Sequence, residues 1–146
     1  MNITTLALPP AFGYVLIVLF ASVFVHHFFM SFAVGAARKK YNVKYPAMYA
    51  DKGTPNADKF NCVQRAHQNS LENFPQFLIL LITAGLRFPV TAAIAGVVYI
   101  AGRITYFMGY STGDPDKRLR GMFMYFGMLT LYGAVLTFAY QLLTRT

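Results

Sequence analysis

From Phe12 to Val34 the chain runs through 23 consecutive residues without a charged side chain, and no Asp, Glu, Lys or Arg occurs anywhere from Met1 to Ala37. About 20 apolar residues, rising about 1.5 Å each, carry a helix across the hydrocarbon core of a bilayer. Hydrocarbon offers no partner to a backbone N–H or C=O, so such a run is confined to a helix. A cleaved signal peptide is the rival, but it wants a basic start and an apolar stretch of roughly 7–15 residues. Here the start is uncharged and the stretch is too long. Val90–Tyr110 adds 21 residues with Arg103 as the single charge, and Gly121–Leu143 adds 23 with none. Phe74–Leu86 is apolar over only 13 residues, so its helix must begin upstream in polar sequence. The expectation is an all-α membrane protein, a bundle of four transmembrane helices in one domain over residues 1–146.

Composition agrees. Charged residues make up 12% of the chain and hydrophobic ones 56%, against roughly a quarter charged in a soluble domain. The net charge of +8 does not mark a nucleic-acid binder, because the apolar excess is too large. The single cysteine, Cys62, excludes an internal disulfide framework and a cysteine-rich zinc module.

The cations set an orientation. The segment joining helices one and two holds Arg38, Lys39, Lys40, Lys44, Lys52 and Lys59; the one joining helices three and four holds Lys117, Arg118 and Arg120. With four spans these connections share a side, which then has nine cations against Arg87 and Arg145 on the other. The excess places both basic connections in the cytosol and both termini across the membrane. Asn2-Ile3-Thr4 is then a weak glycosylation sequon on the non-cytosolic side.

Chemistry begins on the second helix, where Asn61–Asn73 reads NCVQRAHQNSLEN without Gly or Pro. Arg65, Asn69, Glu72 and Gln76 stand at i, i+4, i+7 and i+11, within an arc of about 60°. Ionisable groups near membrane depth are costly, so such a stripe faces a wet cavity or its own members. A surface extension whose Arg65 and Glu72 neutralise each other is the plainer alternative. On the third helix Tyr99, Arg103, Tyr106 and Tyr110 repeat the spacing. Arg103 needs a partner, and a structural pairing with Glu72 or with backbone carbonyls is favoured over ligand contact. Tyr99 reads as a core aromatic and Tyr110 as an interfacial one. His26 and His27 point about 100° apart on a helix and cannot comfortably share a metal; packing or hydrogen bonding suits them better. Ala92 and Gly96 form a small-xxx-small pair for close helix contact.

Arg38, Arg65, Tyr110 and Arg118 or Arg120 thus gather at the cytosolic helix ends. Such a ring suits a small acidic ligand, with guanidinium forks reading carboxylates. Flanking apolar helix surface suits a lipophilic second ligand. One four-helix bundle is thin for such a cavity, which points to a site between subunits.

The segments ARKKYNVKYP (Ala37–Pro46), FNCVQRAHQNSLENFP (Phe60–Pro75) and GRITYFMGYSTGDPDKR (Gly102–Arg118) resemble the microsomal glutathione S-transferases of the MAPEG superfamily, the third microsomal type in particular. The resemblance implies a homotrimer of four-helix subunits in the endoplasmic reticulum membrane, holding glutathione between subunits near the cytosolic face. It implies conjugation of glutathione to lipophilic electrophiles, with peroxidase or leukotriene C synthase-like activity as variants, and no metal. Carried over residue by residue, Arg38, Arg65, Asn69, Glu72, Tyr106 and Tyr110 would contact glutathione. His67 stands where a glutamine contact occurs and Asn73 where a tyrosine does. Lys39 replaces a second arginine of the leukotriene-synthase branch. Arg118 is the best match for the arginine that activates the thiol, with Lys117 and Arg120 as rivals. A non-catalytic lipid-binding scaffold of the same fold is the alternative, and Arg65, Asn69 and Glu72 favour the enzyme. A transporter is more distant, since no repeat or interrupted helix is evident.

Overall fold

The structure is a computed structural model that describes residues 8–144; the Asn2 sequon and Arg145 lie outside them. Every regular element is helical. Helix α1 (Phe12–Val23), a π-helical segment (Phe24–Phe29) and α2 (Met30–Tyr41) run on as one rod of 30 residues. It ends on Arg38, Lys39 and Lys40, which complement the negative end of the helix dipole. Asn42, in the left-handed conformation, then closes it with its N–H on the Arg38 and Lys39 carbonyls. Helices α3 (Ala57–Arg87) and α4 (Pro89–Tyr110), a 3-10 segment (Pro115–Gly121) and α5 (Met124–Leu143) follow.

Among the described residues, three helices are long and apolar enough to cross a membrane: Phe12–Tyr41, Pro89–Tyr110 and Met124–Leu143. Helix α3 has the length, and its apolar part is preceded by polar turns, as the short uncharged run after Asn73 requires. Only Phe88 separates α3 from α4, and Pro89 opens α4 where a missing N–H costs nothing. At the other end Lys59, expected in the first basic connection, lies on the first turn of α3 and meets the second connection: a side chain on Gly113 would run into it.

The core lies where α1, α3, α4 and α5 pack together. Phe77 stacks on Tyr99 at 4.1 Å, with Val15, Leu81 and Ala84 fully buried around them. Gly96 is turned inward, and a Cβ there would come within 2.6 Å of Val18. The small pair with Ala92 therefore serves contacts within the chain. The outer faces are apolar as well: Phe20 is 74% exposed and Phe126 72%, an exterior suited to hydrocarbon rather than water.

Two local features depart from the sequence reading. The π segment falls on His26 and His27. There Met30 N–H reaches back five residues to the Val25 carbonyl, a wider turn that disturbs the normal ladder. The His67 ring on α3 donates from Nε2 to the His26 carbonyl at 3.0 Å. His26 itself donates from Nδ1 to the Ser22 carbonyl at 2.7 Å and stacks on Phe74 at 4.4 Å. The second departure corrects the start of the last helix. Lys117, Arg118 and Arg120 lie on the 3-10 segment, not on α5, which begins only at Met124. Asp114 caps that segment by accepting from Asp116 N–H, and Pro115 begins it. Successive residues there turn about 120°, so Pro115, Arg118 and Gly121 share a face.

Candidate functional site

The two polar stripes meet. Arg65 and Glu72 form an ion pair at 2.8 Å on α3, about two turns apart. Arg103, only 1% exposed, donates from Nη1 to Asn69 Oδ1 at 2.9 Å and from Nε to the Tyr99 hydroxyl at 3.0 Å. Its guanidinium also lies over the Tyr106 ring at 5.6 Å, and Tyr106 meets Tyr110 edge-on at 5.8 Å. Glu72 is thus Arg65's partner and not Arg103's, and no backbone carbonyl takes Arg103 among the described residues. Asn69 occupies that place because it lies between Arg65 and Glu72 on the same arc. Gln76 is exposed at the apolar end of the stripe.

The 3-10 segment brings the third group. It packs so closely on α4 that a Cβ on Gly109 would run into the Lys117 carbonyl, and one on Gly121 into the Gly102 carbonyl. Two glycines therefore let the segment lie flat on the helix, which sets the Arg118 guanidinium over the Tyr110 ring at 5.5 Å. Arg118 also donates to the Pro115 carbonyl at 2.7 Å. Lys117 is taken up by Asp114 at 3.4 Å, and Arg120 is exposed.

Between the stripe and this segment lies a cavity of about 450 Å³ lined by Tyr49, Asp58, Asn61, Cys62, Arg65 and Tyr110. Of these, spacing singled out Arg65 and Tyr110. The loop after α2 folds back over α3: Asn61 exchanges two hydrogen bonds with the Ala50 backbone, at 2.8 and 3.0 Å, and the Tyr49 hydroxyl donates to Gln68. Arg38 clasps that loop, donating to the Ala47 carbonyl at 2.7 Å and stacking on Tyr45 at 4.4 Å. Arg38 is thus engaged by the loop and is not among the residues lining the Arg65 cavity, and His67 faces the π segment. The only local cue to the loop's return is Asn61, whose side chain mimics a backbone pair.

Cys62 is not poised as a nucleophile. Burial pushes its thiol up, and the Asp58 and Asp114 carboxylates push it further. A larger apolar groove of about 490 Å³, lined by Tyr14, Ile17, Val90 and Ile94, lies toward the opposite ends of α1 and α4.

Chemically, the site offers guanidinium groups, amide and phenol donors and the Glu72 and Asp58 carboxylates, with no group of three or more metal-ligating side chains among the described residues. The MAPEG family model matches residues 15–140. The chain is 42% identical over 111 residues to the Homo sapiens microsomal glutathione S-transferase 2, covering 73% of this chain and 71% of that protein. It is 39% identical over 111 residues to the Bos taurus protein of the same name, with the same coverage. To the Bos taurus leukotriene C4 synthase it is 36% identical over 90 residues, 61% of this chain and 56% of that one. The motifs resemble the third microsomal type, whereas these transferase relatives carry the type 2 name.

Proposed function

The chain belongs to the MAPEG family, and from that premise we propose that it is a membrane-embedded glutathione transferase. One observation carries the reading. Arg65, Asn69 and Glu72 on α3 converge with Arg103, Tyr106 and Tyr110 on α4, beside a basic segment that holds Arg118 over Tyr110. Glutathione has two carboxylates, an ammonium group and a thiol. Arg65 takes a carboxylate, Glu72 the ammonium, and Asn69, Tyr106 and Tyr110 supply hydrogen bonds that fix the tripeptide.

Arg118 supplies the activation. A thiol is mostly protonated at neutral pH, and its thiolate is the nucleophile. A guanidinium beside the sulfur stabilises the thiolate and stays charged throughout. The thiolate then attacks an electrophilic carbon, the C–S bond forms, and the leaving group departs with the bonding pair. With a lipid hydroperoxide the thiolate attacks the terminal peroxide oxygen and the O–O bond breaks. A second glutathione then yields the disulfide and water, and the lipid leaves as its alcohol.

The assembly proposed for this chemistry is a homotrimer of four-helix subunits, with α3 as the fourth span. Arg38 and His67 would reach glutathione bound by a neighbouring subunit, and 1–146 forms one domain. The family resemblance implies the endoplasmic reticulum membrane, and the cation distribution supports an orientation with both basic connections in the cytosol and both termini in the lumen. The test is turnover by the purified, detergent-solubilised protein with glutathione and a panel of lipophilic electrophiles and hydroperoxides. Glutathione conjugates or lipid alcohols support the reading. Retained lipid binding without turnover would favour the non-catalytic scaffold.

A further inference from the structure

We propose that Arg103 is a positioning residue of the glutathione site: it fixes the Asn69 amide so that Nδ2 is the atom offered to the ligand. The inference rests on the function proposed above and adds a role for a side chain buried beneath the site.

Arg103 is a buried guanidinium without an acidic partner. The ion pairs among the described residues are Arg65–Glu72 and Lys117–Asp114. Such a group is costly at membrane depth unless its N–H groups are met, and here they are met by neutral oxygens. Nε donates to the Tyr99 hydroxyl, Nη1 donates to Asn69 Oδ1, and the face of the guanidinium lies against Tyr106. Tyr99 is itself held by stacking on Phe77, with the rings 12° from parallel. The chain Phe77–Tyr99–Arg103 therefore fixes where Nη1 sits.

A guanidinium carries only donors, whereas a primary amide carries an acceptor on one side and donors on the other. Facing Arg103, Asn69 must turn its oxygen inward. Nδ2 then lies on the side of the amide away from that guanidinium N–H, and no acceptor takes it among the described residues. An unclamped amide would turn its oxygen to the ligand part of the time and repel a carboxylate or thiolate. Arg103 removes that wrong orientation, so Asn69 acts as a fixed donor to an anionic group.

The test is a double-mutant cycle read by calorimetry with glutathione itself, on the full chain in detergent or nanodiscs. Arg103→Lys keeps the charge but offers one ammonium where two directed N–H groups stood. It should weaken glutathione about tenfold, the scale of one charge-assisted hydrogen bond, and Asn69→Ala should weaken it to a similar degree. Arg103→Lys added to Asn69→Ala should cost nothing further, because the amide through which Arg103 acts is gone. At saturating glutathione kcat should stay within about twofold, the loss appearing in KM. Tyr99→Phe keeps the ring on Phe77 and serves where Arg103→Lys does not fold. It should weaken binding about threefold in the wild-type background and not at all beside Asn69→Ala. Wild-type affinity in Arg103→Lys, or losses that add in the double variants, would overturn the role of Arg103 while leaving the function standing. Absence of glutathione binding by the wild-type protein would instead remove the function, and this inference with it.

Discussion

Replacing Arg65 with alanine isolates the proposed carboxylate anchor. In a sheltered site, removing one partner of a charged pair costs about 2–4 kcal/mol of affinity. The Arg65 side chain, however, is 41% exposed and that of Glu72 47%, so water and salt screen whatever Arg65 holds. Discounted for that, the expected loss is about 1–2 kcal/mol, about 5–30-fold in the Kd for glutathione. Glu72, left alone, rehydrates at its exposed position, so the fold should lose less than about 1 kcal/mol. Calorimetry on the solubilised protein reads the affinity, and Lys52→Ala, on the exposed loop, is the control that should change it little. Raising the salt from about 0.05 to 0.5 M shortens the screening length severalfold and should narrow the gap between wild type and variant. Equal affinities for wild type and Arg65→Ala at low salt would refute the anchor and return the Arg65–Glu72 pair to a self-neutralising surface contact.

Gly109→Ala sets a methyl group against the Lys117 carbonyl; overpacking of this kind costs about 1–3 kcal/mol. The thermal midpoint by circular dichroism should fall, and turnover should fall with it as Arg118 shifts off Tyr110. Because burial and the neighbouring carboxylates raise the Cys62 thiol, its thiolate fraction at pH 7 lies below that of a free cysteine. Maleimide labelling should be slow at pH 7 and accelerate only at clearly alkaline pH; rapid labelling at pH 7 would contradict this. A tag after Thr146 should resist protease in sealed, right-side-out microsomes and be cut once detergent is added; cutting before detergent would invert the topology.

The long apolar elements were legible because a helix in hydrocarbon needs an uncharged run and little else. Val90–Tyr110 and the observed α4 differ by a single residue at the start. The polar beginning of α3 was legible by subtraction, since Phe74–Leu86 alone is too short to span. The two stripes were legible from 3.6-residue periodicity, but their pairing was not. Periodicity places Arg103 and Glu72 on the correct faces, while axial offset decides which groups meet, and Arg65 already holds Glu72. The π segment leaves no periodic trace, because one wider turn shifts the register without changing residue type. Spacing shows only that Lys117, Arg118 and Arg120 precede the apolar run from Gly121, not that they form a 3-10 segment of their own. Pro115 and the Asp114 cap make it a separate turn. The return of Tyr49 and Ala50 onto α3 is a tertiary event with almost no local signature.

The account turns on whether this chain ionises the glutathione thiol with Arg118. Difference absorbance of the thiolate near the ultraviolet edge, titrated with glutathione across pH, measures that directly. The wild-type complex should show the thiolate band at pH 7. Arg118→Ala should bind glutathione nearly as well, yet show the band only at higher pH. A 2-unit fall in thiol pKa corresponds to about 2.7 kcal/mol of stabilisation lost with the guanidinium. Lys117→Ala and Arg120→Ala should keep the band, since successive residues of the 3-10 segment turn about 120° and only Arg118 lies over Tyr110. A full thiolate signal in Arg118→Ala, with loss in one of the other two, would move the role to that cation; a full signal in all three would contradict activation by this segment.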